Sequence, residues 1–182
     1  MIIDPLGLAL LSLARNAIDQ CFGGDERPVS AHPRLKTPGA TFVTLTKNGQ
    51  LRGCIGSLEA HRKLADDVAE NAVAAAFRDP RFPPLSRSEW PQTRIEVSLL
   101  DAAEPFEVAD EDDAIARLRP GIDGLILTHG YRRATFLPQV WESLPDPQHF
   151  LEQLKLKAGL PIDFWDDKMT LSRYGVQKWK ET

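Results

Sequence analysis

TFVTLT-KNGQ-LRGCIG, residues 41–56, is the stretch that most directly predicts the fold of this chain. Two runs rich in β-branched and apolar residues flank Asn48 and Gly49. Asn and Gly accept the positive φ angles that tight hairpin turns require. The pattern therefore predicts a β-hairpin over residues 41–56.

The second strand of this hairpin has an unusual composition, because Gly53 and Gly56 flank one of only two cysteines, Cys54. A glycine inside a strand weakens it and usually marks a bulge or the close approach of a backbone or a ligand. Alternation along the strand places Arg52 and Cys54 on one face. A guanidinium near a thiol favours the reactive thiolate. The alternative interpretation is that Cys54 is a small buried hydrophobic residue and Arg52 an ordinary surface residue.

DPRFPPL, residues 79–85, is the second informative stretch, with three prolines in five positions. Prolines restrict the backbone, so this segment can hold Arg81 and Phe82 in fixed directions with little further loss of entropy. One interpretation places Arg81 in a site that faces an anion. The other makes the segment a structural strap, with Phe82 in the core and Arg81 paired to a local acid such as Asp79.

Residues 94–100 alternate between apolar and polar side chains and predict a strand with Ile95, Val97 and Leu99 facing the core. Glu96 then lies on the opposite, polar face. If this strand and the hairpin share a sheet, Glu96 comes close to Arg52 and Cys54. There it could orient an arginine or move a proton.

The remaining pattern predicts an α+β fold. Apolar periodicity and capping residues predict helices over residues 5–21, 63–77 and 147–158, and the acidic residues 110–113 predict a helix start. Residues 124–137 predict a second hairpin, and residues 169–179 predict a strand. We expect one mainly antiparallel sheet built from residues 41–56, 94–100 and 124–137, with the helices packed on it.

Composition restricts the class of protein. The 182 residues are 42% hydrophobic and 26% charged, which fits one globular domain or a main domain with a smaller lobe. The net charge of −4 argues against a nucleic-acid surface. The apolar run 6–14 follows Asp4 rather than a basic residue and is too short for a bilayer, so neither a signal peptide nor a membrane span is predicted. Two cysteines offer no disulfide framework. We expect a cytoplasmic protein.

No nucleotide-binding, hydrolase or zinc-protease motif occurs in the sequence, and its four histidines are far apart. We therefore predict no cofactor and no metal site. The remaining chemical candidate is the Cys54 thiol, for which Arg52, Arg81, His61 and His129 are possible helpers.

Six segments, namely LRGCIG, DPRFPPL, IEVSLL, DGLIL, ATFLPQV and FLEQLKLKAGL, resemble the AMMECR domain family from about residue 41 onward. The resemblance implies two unequal lobes with a cleft between them, within a single domain over residues 1–182. Residues 1–40 are assigned to the smaller lobe. It also implies protein A of an AmmeMemoRadiSam system, with a Memo-type protein and a radical-SAM protein as partners.

Two function classes follow from these observations. In the first, the chain binds a small anionic ligand or a protein partner through a cleft lined by LRGCIG. In the second, Cys54 is the nucleophile of an enzyme that acts on a small anionic or carbonyl substrate. Both hypotheses use the same predicted site, which consists of Arg52, Gly53, Cys54, Gly56, Arg81 and Glu96.

Overall fold

The computed structural model describes residues 4–182, which divide into two compact units. Residues 4–100 with 177–182 form the first unit, and residues 101–176 form the second. Each unit has an antiparallel sheet and an apolar core of its own. The predicted α+β class is confirmed.

In this part of the chain the α-helices are α1 (Pro5–Cys21), α2 (Leu64–Phe77), α3 (Glu111–Arg117) and α4 (Pro147–Lys157). The strands are β1 (Pro38–Gly39), β2 (Thr41–Lys47), β3 (Gln50–Gly56), β4 (Arg62–Lys63), β5 (Thr93–Leu100), β6 (Glu104–Pro105), β7 (Gly124–His129), β8 (Arg132–Phe136), β9 (Thr170–Tyr174) and β10 (Val176–Lys180). Short 3₁₀ turns occupy Pro33–Lys36, Trp90–Gln92 and Pro138–Glu142.

The first unit is built on a four-stranded sheet with the order β10-β5-β2-β3, which makes β3 an edge strand. The predicted hairpin joins β2 to β3. Its turn residues Asn48 and Gly49 have φ angles of 51° and 76°, as a hairpin turn with two left-handed residues requires. The β1–β4 pair forms a separate two-stranded sheet.

Helices α1 and α2 supply most of the remaining core of the first unit. The predicted starts and ends of these helices agree with the structure to within one residue. Asp4 caps α1 through a 3.0 Å bond from the Leu6 N–H, and Pro5 opens the first turn. The buried apolar residues of the sheet and the two helices are Leu10, Ala14, Ile18, Val43, Leu45, Val68, Ala72, Ala75, Ile95 and Val97.

The second unit has the sheet order β6-β9-β7-β8 and packs its core against α4. Trp141 is 3% exposed and stacks on Phe150 with 3.8 Å between ring centroids. Asp110 caps α3 by accepting a 2.8 Å hydrogen bond from the Asp113 N–H, as the acidic run predicts.

Three expectations about the architecture differ from the structure. The hairpin over 124–137 does not join the sheet of residues 41–56, because β7 pairs with β9 in the second unit. The strand predicted over 169–179 is interrupted at Gly175, and β9 and β10 belong to different sheets. Residues 5–40 lie in the larger unit rather than the smaller one, because α1 packs into the core of the β2–β5 sheet.

Across residues 4–182 none of the helices combines the length and the apolar character needed to cross a membrane.

Candidate functional site

Register within the first sheet decides which predicted site residues are neighbours. Thr44 on the central strand β2 pairs with Cys54 on one side and with Glu96 on the other. Cys54, Thr44 and Glu96 therefore form one row across the same face of the sheet. Glu96 is in line with Cys54, but strand β2 lies between them, so the expected close approach of Glu96 to Cys54 is not found.

A β-bulge interrupts the alternation of β3 at Arg52. Leu45 pairs with Gly53 and Thr46 pairs with Leu51, which leaves Arg52 as the extra residue without a cross-strand partner. A simple two-residue alternation therefore does not hold between Arg52 and Cys54. The side-chain partner of Arg52 is Glu89, which lies in the segment that follows α2.

Two elements of the protein itself fill the space beside the glycines. A Cβ on Gly53 would lie 2.1 Å from the backbone oxygen of Ala75 in α2. A Cβ on Gly56 would lie 2.2 Å from Cγ of the Phe42 ring. Gly53 is buried and faces the helix, opposite to Cys54, so this glycine has a packing role.

Cys54 is half-buried, and its thiol lies beside the hydroxyl of Thr44. The Thr44 Oγ1 atom donates to Cys54 Sγ at 3.3 Å. The backbone of Cys54 points away from β2, and its N–H donates to Asp79 Oδ2 at 2.8 Å. The thiol therefore contacts the neighbouring strand β2, and the Cys54 backbone is held by the segment that follows α2.

The Asp79–Arg81 ion pair covers the edge of the sheet at Cys54. Arg81 donates to the carboxylate from Nη2 at 2.7 Å and from Nε at 3.0 Å, and its Nη2 also reaches the Cys54 carbonyl at 3.3 Å. Together the two side chains satisfy the outward N–H and C=O of one edge-strand residue. Asp79 is the local acid that the strap interpretation named for Arg81.

Hydrogen bonds in this pair shift the pKa values of both partners. The side-chain hydrogen bonds from Arg81 hold the pKa of Asp79 well below its usual range, and the backbone N–H of Cys54 lowers it further. The same hydrogen bonds raise the pKa of Arg81. The Asp79 side chain is 2% exposed, whereas that of Arg81 is 54% exposed. A buried carboxylate thus fixes a cation that solvent still reaches.

Arg52 forms a second bidentate pair, with Glu89. Its Nε and Nη2 donate to Oε1 and Oε2 of Glu89, each at 3.1 Å. Lys47 Nζ approaches the same carboxylate at 3.3 Å. Hydrogen bonds from Arg52, then from the Ser86 N–H, hold the pKa of Glu89 well below its usual range.

Phe82 lies close to both arginines. The Cζ atom of Arg52 is 5.9 Å from the ring centroid and that of Arg81 is 5.5 Å from it, within the range of cation–π attraction. Phe82 is half-buried, and Leu85 with 3% exposure is the residue of this segment that enters the core. The strap interpretation is therefore correct for Arg81 and wrong for Phe82.

The structure thus brings Arg81 directly to the Cys54 backbone and places Arg52 on the same edge strand. Both histidines considered as helpers have carboxylate neighbours elsewhere, since His61 pairs with Glu59 and His129 with Asp166. Sequence reasoning missed Thr44 and Glu89. Counting register from the Asn48-Gly49 turn could have found Thr44, but no local pattern marks Glu89 as the partner of Arg52.

Residues 11–179 match the model of the AMMECR1 family. A protein from Methanothermobacter thermautotrophicus is 38% identical over 184 residues, which cover 96% of this chain and 94% of the relative. A Methanosarcina barkeri protein is 35% identical over 188 residues, which cover 100% of this chain and 93% of the relative. The crystal structure of an uncharacterized protein from Pyrococcus horikoshii superposes with a TM-score of 0.83 at 33% identity and covers 99% of this chain and 93% of that one. The chain belongs to the AMMECR1 family.

Proposed function

We propose that this chain is a binding component that acts beside a Memo-type protein and a radical-SAM protein. Its binding surface is formed by Arg52, Cys54, Arg81 and Phe82, which we call the Cys54 surface. One observation carries the proposal. The Arg81 side chain is 54% exposed, yet its guanidinium donates two hydrogen bonds to the buried Asp79 carboxylate, which fix its direction.

A fixed and exposed cation is suited to recognition, because little side-chain entropy is lost when a partner or ligand contacts it. The prolines at positions 80, 83 and 84 restrict the backbone on both sides of Arg81 and Phe82. The Phe82 ring adds partly exposed aromatic area close to two cations. Aromatic residues and arginine are the side chains enriched in protein interfaces.

The contacts of the thiol favour binding over catalysis. A cysteine nucleophile needs a neighbouring base or a positive field. The side-chain contact found for Cys54 Sγ is the Thr44 hydroxyl, which is a weak acid and no base at neutral pH. The proposed partners follow from the resemblance of LRGCIG and DPRFPPL to the family.

Blocking the surface tests the proposal. In a Cys21→Ser background, N-ethylmaleimide has one thiol left to modify, that of Cys54. We expect the modified protein to lose association with purified Memo-type and radical-SAM proteins under anaerobic conditions. Its thermal unfolding should remain that of the unmodified protein.

The matched control is the Cys21→Ser/Cys54→Ser protein, treated in the same way, which has no thiol to modify. This protein should retain the association before and after treatment. Equal association of the blocked and unblocked proteins would contradict a binding role for the Cys54 surface.

The second candidate is an enzyme that uses Cys54 as the nucleophile on a small anionic or carbonyl substrate. Arg81 favours it by position, because its Nη2 donates to the Cys54 carbonyl at 3.3 Å and so places a cation beside this residue. A positive field of this kind promotes thiolate formation. If Cys54 is catalytic, its alkylation rate should reach half of its maximum well below pH 8.5, the ordinary thiol value. A midpoint at or above that pH would contradict catalysis.

A further inference from the structure

The guanidinium of Arg52 has one nitrogen for which the described residues supply no acceptor. Its Nε and Nη2 both face the Glu89 carboxylate, and Nη2 also approaches the Pro84 carbonyl at 3.4 Å. A guanidinium is planar with its three nitrogens at fixed angles. Since Glu89 bridges two of them, Nη1 projects from Cζ on the side opposite to that carboxylate.

Nη1 is buried from solvent and makes no hydrogen bond within residues 4–182. The whole Arg52 side chain is 11% exposed. Buried donors in native proteins are almost always paired, and a charged donor left without an acceptor is especially unfavourable. The geometry therefore favours an acceptor atom at Nη1 that does not come from this chain.

The charge around Arg52 indicates what kind of acceptor fits. Lys47 and Arg52 share the single carboxylate of Glu89, so this cluster has two cations and one anion. Glu89 is ionised at neutral pH, as an ordinary glutamate is, and hydrogen bonds from Arg52 hold its pKa still lower. The local surplus of one positive charge favours an anionic oxygen over a neutral one. The partly buried position strengthens that preference, because screening by water is weaker there.

We propose that the ligand of the Cys54 surface presents an anionic oxygen, from a carboxylate or a phosphate, to Nη1 of Arg52. The oxygen lies in the plane of the guanidinium, on the side away from Glu89, and its entry requires the atoms that cover Nη1 in the free protein to shift. This inference rests on the proposed binding function and specifies the chemistry of the ligand. Arg52 is then the residue that selects the ligand, while Arg81 and Phe82 form its surroundings.

Nuclear magnetic resonance of the full chain with labelled arginine tests the inference. Sodium formate and inorganic phosphate are titrated separately at neutral pH, with chloride adjusted to keep the ionic strength constant. We expect a saturable shift of the Arg52 Nε–H and Nη resonances, and of the Cys54 amide on the same strand, with at least one of the two anions. A response to formate alone assigns a carboxylate ligand, and a stronger response to phosphate assigns a phosphate.

Two variants show whether the response belongs to Nη1. Arg52→Lys keeps a cation near Glu89 but removes the planar fork, and it should weaken the anion response of the Cys54 amide at least about tenfold. Arg78→Lys is the control, because Arg78 is an exposed helix-end arginine paired with Glu70. Its anion response should equal that of the wild type.

The absence of a saturable shift with both anions would overturn the inference, because water then satisfies the donor. An unchanged response in Arg52→Lys would also overturn it, because the anion then binds elsewhere. Unfolding curves of both variants show whether they are folded. These results are separable from the blocking experiment, since partners could still require the Cys54 surface when Nη1 binds no anion.

Discussion

At the scale of single residues, Gly53 shows why the motif contains glycine. The carbonyl oxygen of Ala75 occupies the space where a side chain would begin. The oxygen belongs to the backbone of α2, which cannot rotate away as a side chain can. The approach predicted for this strand is therefore made by the protein's own helix.

Replacing Gly53 by Ala should destabilise the first unit by at least about 2 kcal/mol, because the new methyl group overlaps a backbone atom. Gly56→Ala is the comparison, since its methyl group meets the half-buried Phe42 ring, which can shift. Its effect should be about 1 kcal/mol. Urea unfolding of both variants measures the difference. If Gly53→Ala is as stable as the wild type, the close packing on α2 is not the reason for this glycine.

Part of the site could be predicted from the sequence alone. The Asn48-Gly49 turn, the bulge near the glycines and the Arg81–Asp79 pair all follow from local chemistry. The partner of Arg52 could not be predicted in this way, because Glu89 lies 37 positions away and is brought near by the path of the chain after α2. Long-range pairing of this kind depends on packing, which a single sequence does not display.

At the scale of elements, hydrogen bonds to Asp67 connect α2 to the start of the hairpin. Its side chain is 1% exposed and accepts bonds from the Thr41 N–H and hydroxyl, the Ser57 hydroxyl and Arg62 Nε at 2.6–2.9 Å. Asn71 Nδ2 lies 3.1 Å from the same carboxylate. One side chain thus holds a helix, a strand and the loop between β3 and β4.

Asp67→Asn should destabilise the protein by about 2–4 kcal/mol, because an amide cannot accept all these bonds and does not neutralise Arg62. Asp66→Asn is a matched control, since Asp66 is the neighbouring carboxylate in the same first turn but is exposed. Its effect should stay below about 1 kcal/mol. Denaturant unfolding followed by circular dichroism gives both values, and equal losses would contradict the anchoring role.

The segment after α2 should give the protein a distinct pH dependence. Arg81 lowers the native pKa of Asp79 below the ordinary value of 3.8, so the pair stabilises the fold above that pH. The stabilisation is lost as the pH falls from 3.8 through the lower native pKa. The difference in unfolding free energy between wild type and Asp79→Asn should therefore be constant near neutrality and shrink below about pH 4. A difference independent of pH would show that the charge of Asp79 is unimportant.

At the scale of the whole molecule, the class of fold was predictable but the number of sheets was not. Periodicity shows which face of a strand is apolar, and it does not show which other strand lies beside it. The stretch 169–179 illustrates the limit. Its residues are strand-like throughout, yet Gly175 separates a strand of the second unit from one that pairs with β5.

Residues 177–182 belong to the first unit, and this has a measurable consequence. Glu181 accepts bonds from Arg15 Nε at 2.9 Å and from the Ile95 N–H at 2.9 Å, and so ties the terminus to α1 and β5. Glu181→Ala should speed amide hydrogen exchange in α1 and β5 and leave α4 unchanged. Lys178→Ala, at an exposed position of β10, is the control. Faster exchange in α4 would contradict the division into units.

The central claim is that partners bind at the Cys54 surface. Its most direct measurement compares alkylation rates of the two cysteines, read by mass spectrometry, with and without the Memo-type and radical-SAM proteins. Cys21 lies exposed at the end of α1 and serves as the internal control. The account predicts that the partners slow modification of Cys54 at least about tenfold and leave Cys21 unchanged. Equal rates at Cys54 in the free protein and in a demonstrated complex would contradict it.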